Sequence, residues 1–191
     1  MRLFVALDLP EETRRALAKL IARLRPICPS GRWVRPEGIH VTLKFIGHAD
    51  ENKLGVIESA LAPVRSDEPV EIEFRGLGFF PNERRPRVLW CGAEASKNLA
   101  KLAADAERAL EPLNVPAESR PFVPHLTLAR LQPGETNSGE LEGLVRAAGE
   151  IETQTFGLAR ADEFHLFESV LKPSGAEYKR LRTFRFAGGP A

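Results

Sequence analysis

The sequence predicts a fold of alternating strands and helices, α/β or α+β, with a mixed or mainly antiparallel sheet carrying helices on one face. Three observations lead there. Strand-like and helix-like segments alternate along all 191 residues. The strands alternate apolar with polar residues, unlike the uniformly apolar strands of a buried parallel sheet. A short string also recurs, His-Val-Thr-Leu at 40–43 and His-Leu-Thr-Leu at 125–128, once near the middle of each half of the chain. Each copy lies in a strand that follows a helix and a proline-containing loop, which suggests two lobes of similar design meeting at a cleft. No linker separates autonomous parts, so residues 1–191 read as a single two-lobed domain.

The elements follow in order. Residues 2–8, rich in Leu, Phe and Val, suggest a strand. Pro10 sits where helix starts tolerate proline, Glu11 and Glu12 suit a first turn, and Leu17, Leu20, Ile21 and Leu24 keep helical spacing, giving a helix over 10–25. Segment 26–38 is a loop with a short strand at 32–34. The clearest strand spans 39–47; strict alternation puts His40, Thr42 and Lys44 on one face and Val41, Leu43 and Phe45 on the other. A helix over 51–64 leads to strands at 70–79 and 87–92, joined by turn residues between Pro81 and Pro86. A second amphipathic helix covers 96–111, the strand at 125–130 follows the proline-bearing stretch 116–124, and 138–148 is helical. The tail from 152 gives two or three strands, including 163–167 and 180–186.

Hydrophobic residues make up 43% of the chain, enough for one sizeable core. Its 27 Lys+Arg nearly cancel its 26 Asp+Glu, which argues against a broad groove tracking a nucleic acid backbone and fits a small anion or a nucleic acid terminus better. Cys28 and Cys91 form no paired spacing, so neither a disulfide framework nor a cysteine-rich zinc site is expected. The apolar start is too short for a signal segment and no stretch reaches membrane-span length, so a cytoplasmic location without membrane association is the expectation.

The repeated string carries the chemistry. In a strand, residues i and i+2 share a face, so each histidine neighbours its threonine. Imidazole exchanges protons near neutrality, and a threonine hydroxyl can donate to an anionic oxygen. Two such strands face to face would put two imidazoles and two hydroxyls around one anion, the set needed for in-line displacement at phosphorus. One imidazole deprotonates water, the other protonates the departing oxygen, and the hydroxyls hold the non-bridging oxygens. A lone match would carry no weight, since a strand histidine is usually packed or on the surface, and His48 and His165 are read that way. A metal site at His40 and His125 is disfavoured, because neither has an acidic residue at i+2 or i+4. No nucleophile elbow and no glycine-rich phosphate loop occur. Lys44 shares the face of His40. Arg130 falls on the face opposite His125 by strict alternation, unless the chain turns at the strand end, and the direction of Arg120 is unreadable. Trp33, Phe45 and Phe79 could stack on a base, but core packing is the expected fate of each.

These strings resemble the two-histidine phosphoesterase superfamily, named for paired His-x-Thr/Ser-x motifs, and within it the RNA 2′,3′-cyclic phosphodiesterases once called 2′-5′ RNA ligases. The resemblance runs through Arg2 to Pro10, Trp33 to Glu37, His40 to Gly47, Arg120 to Arg130 and Leu166 to Ser169. It implies an α+β, bilobal, pseudo-twofold fold of mixed or antiparallel sheets, with helices outside and a central cleft. It also implies hydrolysis of an RNA terminal 2′,3′-cyclic phosphate to a 2′-phosphate, without metal or other cofactor, by a chain expected to act as a monomer. Residue by residue, His40 would protonate the leaving 3′ oxygen, His125 would activate water, and Thr42 and Thr127 would hold the phosphate with Arg130 nearby. Which histidine is the acid comes from the resemblance alone. The alternatives are the reverse 2′-5′ ligation, a cyclic phosphate on a small nucleotide, and an RNA-end binder without turnover, which the intact histidine pair argues against.

Overall fold

The computed structural model describes residues 1–172 and 175–187; the last four residues of the 1–191 domain expectation lie outside them. Nine strands and four α-helices are found among these residues: β1 (Arg2–Leu7), α1 (Glu11–Leu24), β2 (Arg32–Trp33), β3 (Val41–His48), α2 (Leu54–Leu61), β4 (Val70–Phe80), β5 (Val88–Ala95), α3 (Asn98–Leu110), β6 (His125–Arg130), α4 (Ser138–Gly149), β7 (Thr155–Ala161), β8 (Glu163–Lys172) and β9 (Gly175–Arg185). Short 3-10 turns occupy Pro36–Gly38, Glu51–Lys53 and Glu111–Leu113. Most expected elements are present. The helix expected over 51–64 is shorter, because its first turn is the tighter 3-10 form.

The strands form two sheets, in the orders β3-β1-β8-β9 and β2-β6-β5-β4-β7. Every pairing between named strands is antiparallel. Apart from the two-residue β2, the sheets correspond strand for strand: β3-β1-β8-β9 matches β6-β5-β4-β7. In each, one helix (α1 or α3) joins the central strand to the motif strand beside it. This is the pseudo-twofold bilobal α+β architecture the resemblance implies.

Each sheet has one face in the main core. From β1 this core takes Leu3, Val5 and Leu7, from β8 Phe164 and Leu166, from β5 Leu89 and Cys91, and from β6 Leu126 and Leu128. Helix α1 covers it with Leu17, Leu20, Ile21 and Leu24, and α3 with Leu99, Leu102, Ala106 and Leu110. The opposite face of the first sheet holds a separate small cluster of Phe4, Ala6 and Phe167, with Tyr178 against it. Strand β1 is therefore covered on both sides, which is why its sequence is nearly continuous in apolar residues.

Register breaks in the motif strands decide which side chains reach that second face. In β3 the pairing steps from Val5↔Lys44 to Ala6↔Thr42, so Leu43 is an extra residue. Leu43 and Lys44 both turn to the core, and Phe45, paired with Phe4, returns to the outer face. In β6 the pairing steps from Leu89↔Ala129 to Trp90↔Thr127, so Leu128 is extra; Leu128 and Ala129 are fully buried. Arg130 pairs with Val88, itself paired with Phe80, and returns to the face of His125.

Candidate active site

His40 sits between the Pro36–Gly38 turn and the first residue of β3, and His125 opens β6. The two are held alike. His40 Nδ1 lies 2.8 Å from the Gly38 carbonyl oxygen, and His125 Nδ1 lies 2.7 Å from that of Val123. A carbonyl only accepts, so Nδ1 carries the hydrogen in both rings and Nε2 is the nitrogen left to exchange a proton. Each contact joins a ring to the residue two positions before it. One local geometry has been built twice.

Aromatic rings hold each imidazole. Phe4 stacks on His40 with centroids 4.5 Å apart and planes 26° apart, and Tyr178 meets it edge-on at 5.1 Å. On the other lobe Phe80 stands edge-on to His125 at 4.9 Å, and Trp90 lies 6.5 Å away. Glycines make room for this packing: a Cβ on Gly38 would come within 2.8 Å of the Tyr178 ring, and one on Gly78 would overlap the Trp90 ring. None of these four aromatics is apparent as a site residue from sequence. The available signal was β1, whose Leu3-Phe4-Val5-Ala6-Leu7 run requires cover on both faces.

A cation anchors the turn that carries His40. Arg14, on α1, donates Nη1 to the carbonyl oxygens of Pro36 (2.6 Å) and Ile39 (3.3 Å), and Nη2 to Asp8 Oδ1 (2.5 Å). Asp8 also accepts from Arg180 on β9. The guanidinium thus ties the turn before His40 to the end of β1 and, through Asp8, to β9.

The other expected residues are placed as follows. Thr42 pairs with Ala6, and Thr127 with Trp90, so both hydroxyls lie on the faces of their histidines. Arg130 is exposed on the His125 face and makes no ion pair among the described residues. Its charge and that of Arg120 oppose protonation of His125. Arg120 itself turns to Glu118 at 3.3 Å and is largely exposed.

Two expectations are corrected. Lys44 does not share the face of His40. It is 5% exposed, with Nζ 2.7 Å from the Pro116 carbonyl oxygen and 3.4 Å from Glu107, because the bulge at Leu43 turns it inward. Phe45 is not core packing but 56% exposed, for the same reason. Phe79 is buried as expected, and Trp33 is partly buried, donating its indole N–H to Cys28 O.

Burial sets the titration of the site. Desolvation lowers His40 to about 4, opposed by its bond to Gly38 and by Asp8, and aided by Arg14 and His125. Desolvation also lowers His125, opposed by its bond to Val123. The unliganded pair is therefore neutral at pH 7, and a bound anion would restore a proton. His165 is buried against Thr183 and Phe167 and is also lowered to about 4 by desolvation first, while His48 is exposed at a strand end. Both thiols are buried, and burial pushes Cys91 up to about 12. Among the described residues no group of three or more His, Cys, Asp or Glu could hold a metal ion. No helix among them is long and apolar enough to cross a membrane.

Comparison with known proteins places this geometry in context. The family described as LigT like Phosphoesterase matches residues 7–90 and 92–178. The RNA 2′,3′-cyclic phosphodiesterase of Archaeoglobus fulgidus is 35% identical over 185 residues, covering 96% of this chain and 99% of that protein. The protein of the same name from Methanothermobacter thermautotrophicus is 36% identical over 189 residues, covering 97% and 98%. The crystal structure of a Thermus thermophilus protein superposes with a TM-score of 0.78 at 32% identity, covering 98% of this chain and 99% of the other.

Proposed function

The chain belongs to the LigT-like phosphoesterase family, and from that premise we propose that it hydrolyses a 2′,3′-cyclic phosphate at an RNA end to a 2′-phosphomonoester. The observation that carries the reading is the pair of histidines, each fixed through Nδ1 to the carbonyl two residues before it, with a threonine hydroxyl beside each. A site that only bound an anion would need positive charge rather than two matched proton carriers. The names borne by the relatives from Archaeoglobus and Methanothermobacter support the choice of substrate.

The reaction runs in one line. The cyclic phosphate enters between the lobes, and Thr42 and Thr127 donate to its non-bridging oxygens. Arg130 offsets charge from the His125 side. His125 Nε2 accepts a proton as water attacks phosphorus opposite the 3′ oxygen. The P–O3′ bond breaks, and His40 Nε2–H delivers its proton to the departing oxygen. The product is a 2′-phosphate beside a free 3′ hydroxyl, with His125 protonated and His40 neutral; proton exchange with solvent resets the pair. His40 is hard to protonate in the empty site, so its proton arrives with the substrate's negative charge. Once protonated, a desolvated imidazolium is a strong acid, which suits its role toward an alkoxide.

The test incubates the purified protein with EDTA and an RNA ending in a 2′,3′-cyclic phosphate. A 2′-phosphate product that is lost in both His40→Ala and His125→Ala is expected. Turnover that stops with chelator, or survives either substitution, would refute the mechanism. The roles are separated by a substrate with sulfur in place of the 3′ oxygen. Sulfur leaves without a proton, so it should rescue His40→Ala and not His125→Ala.

A further inference from the structure

Four arginines meet at one end of the second sheet. Arg84, Arg85 and Arg87 lie in the turn between β4 and β5, and Arg130 ends β6 beside them, paired in register with Val88. All four are exposed, and none makes an ion pair among the described residues. Glu83, in the same turn, reaches none of them. Like charges gathered without a carboxylate repel one another and set up a local field that favours an anion. The chain as a whole is nearly neutral, with 27 Lys+Arg against 26 Asp+Glu, so this concentration is local.

The turn is held firmly. Asn82 Oδ1 accepts from the backbone N–H groups of Arg84 (3.0 Å) and Arg85 (3.1 Å). The Arg87 N–H donates to Phe80 O at 2.7 Å, and Arg87 O accepts from the Leu131 N–H at 2.8 Å. Between the turn and the loop after β6 lies a cavity of about 190 Å³, lined by Arg84, Arg85, Arg87, Gln132 and Thr136 among others. That volume takes a phosphate group together with waters. Thr136 adds a second, independent observation: its hydroxyl is buried with no hydrogen-bond partner among the described residues. Such a group is uncommon and costs free energy until a polar partner arrives.

The cavity adjoins the cleft without belonging to it. Phe80, the last residue of β4 before the turn, is the ring that stands edge-on to His125. Arg130 lies five residues beyond His125 on β6, about 16 Å at the rise of a strand, too far for one phosphate to touch both ends. Several other cations near the histidines are already committed: Arg14 and Arg180 to Asp8, Arg120 to Glu118, and Lys44 to Glu107. The lobes also differ here. The strands that match β4 and β5 in the first sheet, β8 and β1, are not consecutive in the chain, so no turn joins them.

We propose that the arginine-lined cavity holds an internucleotide phosphate of the RNA strand upstream of the cyclic end, with the strand running from the histidines past Arg130 to the β4–β5 turn. This rests on the reading of the site as a cyclic phosphodiesterase. A chain of phosphates spans the separation, whereas a mononucleotide occupies the histidines alone. Contacts to the backbone carry no base information, so the cavity selects for length and not for sequence.

The experiment measures binding of an octaribonucleotide ending in a 2′-phosphate, of adenosine 2′-monophosphate and of inorganic pyrophosphate over a series of salt concentrations. Wild type is compared with the triple variant R84Q/R85Q/R87Q and with R23Q/R25Q/R65Q, which removes the same charge from exposed positions elsewhere. Wild type should bind the octanucleotide more tightly than the mononucleotide by roughly tenfold to a hundredfold, and R84Q/R85Q/R87Q should lose that surplus. Mononucleotide binding should stay within about twofold, and the control variant should keep the surplus. The slope of log Kd against log salt should fall by roughly 0.7 for each phosphate released. No octanucleotide surplus in wild type, a surplus that survives in R84Q/R85Q/R87Q, or an equal loss in the control overturns the proposal. Pyrophosphate binding that needs these arginines while the octanucleotide shows no surplus assigns the cavity to a free anion and overturns it too. Hydrolysis of the matching cyclic phosphates is followed in parallel. If wild type hydrolyses neither, the phosphodiesterase reading fails, and the binding difference still decides the cavity.

Discussion

Replacing Arg14 by Met should separate the positioning of His40 from its chemistry. The side chain is 14% exposed, and its methylenes are largely retained by methionine, so the loss is confined to the guanidinium bonds. Three bonds disappear, to Pro36 O, Ile39 O and Asp8. Hydrogen bonds to charged groups contribute about 1.5–3 kcal/mol each, and the 3.3 Å contact to Ile39 belongs at or below the low end. Asp8 keeps Arg180 and is not left unpaired. With each bond taken at the low end, the expected loss of stability is about 3–4.5 kcal/mol, read as a lowered urea midpoint with unchanged m-value. The catalytic effect follows from the turn at 36–38, which the substitution frees. Misplacing a reacting group by about 1 Å can cost about a hundredfold, so kcat should fall roughly tenfold to a hundredfold. KM should change little, because Thr42, Thr127 and Arg130 sit on strands that Arg14 does not touch. Arg14→Lys should recover part of kcat by restoring a single donor. A variant that loses stability yet keeps kcat within about twofold of wild type would refute the reasoning. His40 would then be held by β3 and its aromatic neighbours alone.

Lys44→Met should leave kcat/KM within about twofold and change unfolding free energy by no more than about 2 kcal/mol, since a buried ion pair is often replaceable by an apolar residue and Glu107 keeps contact with solvent; a tenfold rise in KM would mean that Lys44 reaches the phosphate. The free-enzyme profile, kcat/KM against pH, should have its alkaline limb below pH 6.5, because burial lowers both His40 and His125 and the acid must be protonated. The kcat profile should be displaced upward, the bound phosphate favouring imidazolium, and a kcat/KM that stays flat to pH 8 would contradict this. His165 binds a proton in the unfolded chain near pH 6.5 but in the fold only near 4, so the unfolded state holds more protons in that window and stability falls on acidification by up to roughly 3 kcal/mol. Chemical denaturation at pH 7 and 4.5 should show a smaller difference for His165→Gln than for wild type; equal differences would place the acid sensitivity elsewhere.

The sequence by itself determined the elements, the two-lobed plan and the matched placement of His40 with Thr42 and of His125 with Thr127 on their strands. These are legible because alternation is a local property: within two or three residues of a strand, parity fixes the shared face whatever the partner does. Local parity could not carry as far as residues 44, 45 and 130. A ladder with an extra residue reverses parity beyond it, and that residue is fixed by the strand alongside, β1 for β3 and β5 for β6, far away in the chain. So Lys44 and Phe45 exchanged their expected places, and Arg130 came round to the histidine's face. The aromatic holders Phe4, Tyr178, Phe80 and Trp90, and the Arg14 anchor, are likewise contributed by segments distant from the motifs. Only tertiary structure brings them together, because a short strand supplies an imidazole and a hydroxyl while the surfaces that desolvate and hold the ring must come from elsewhere.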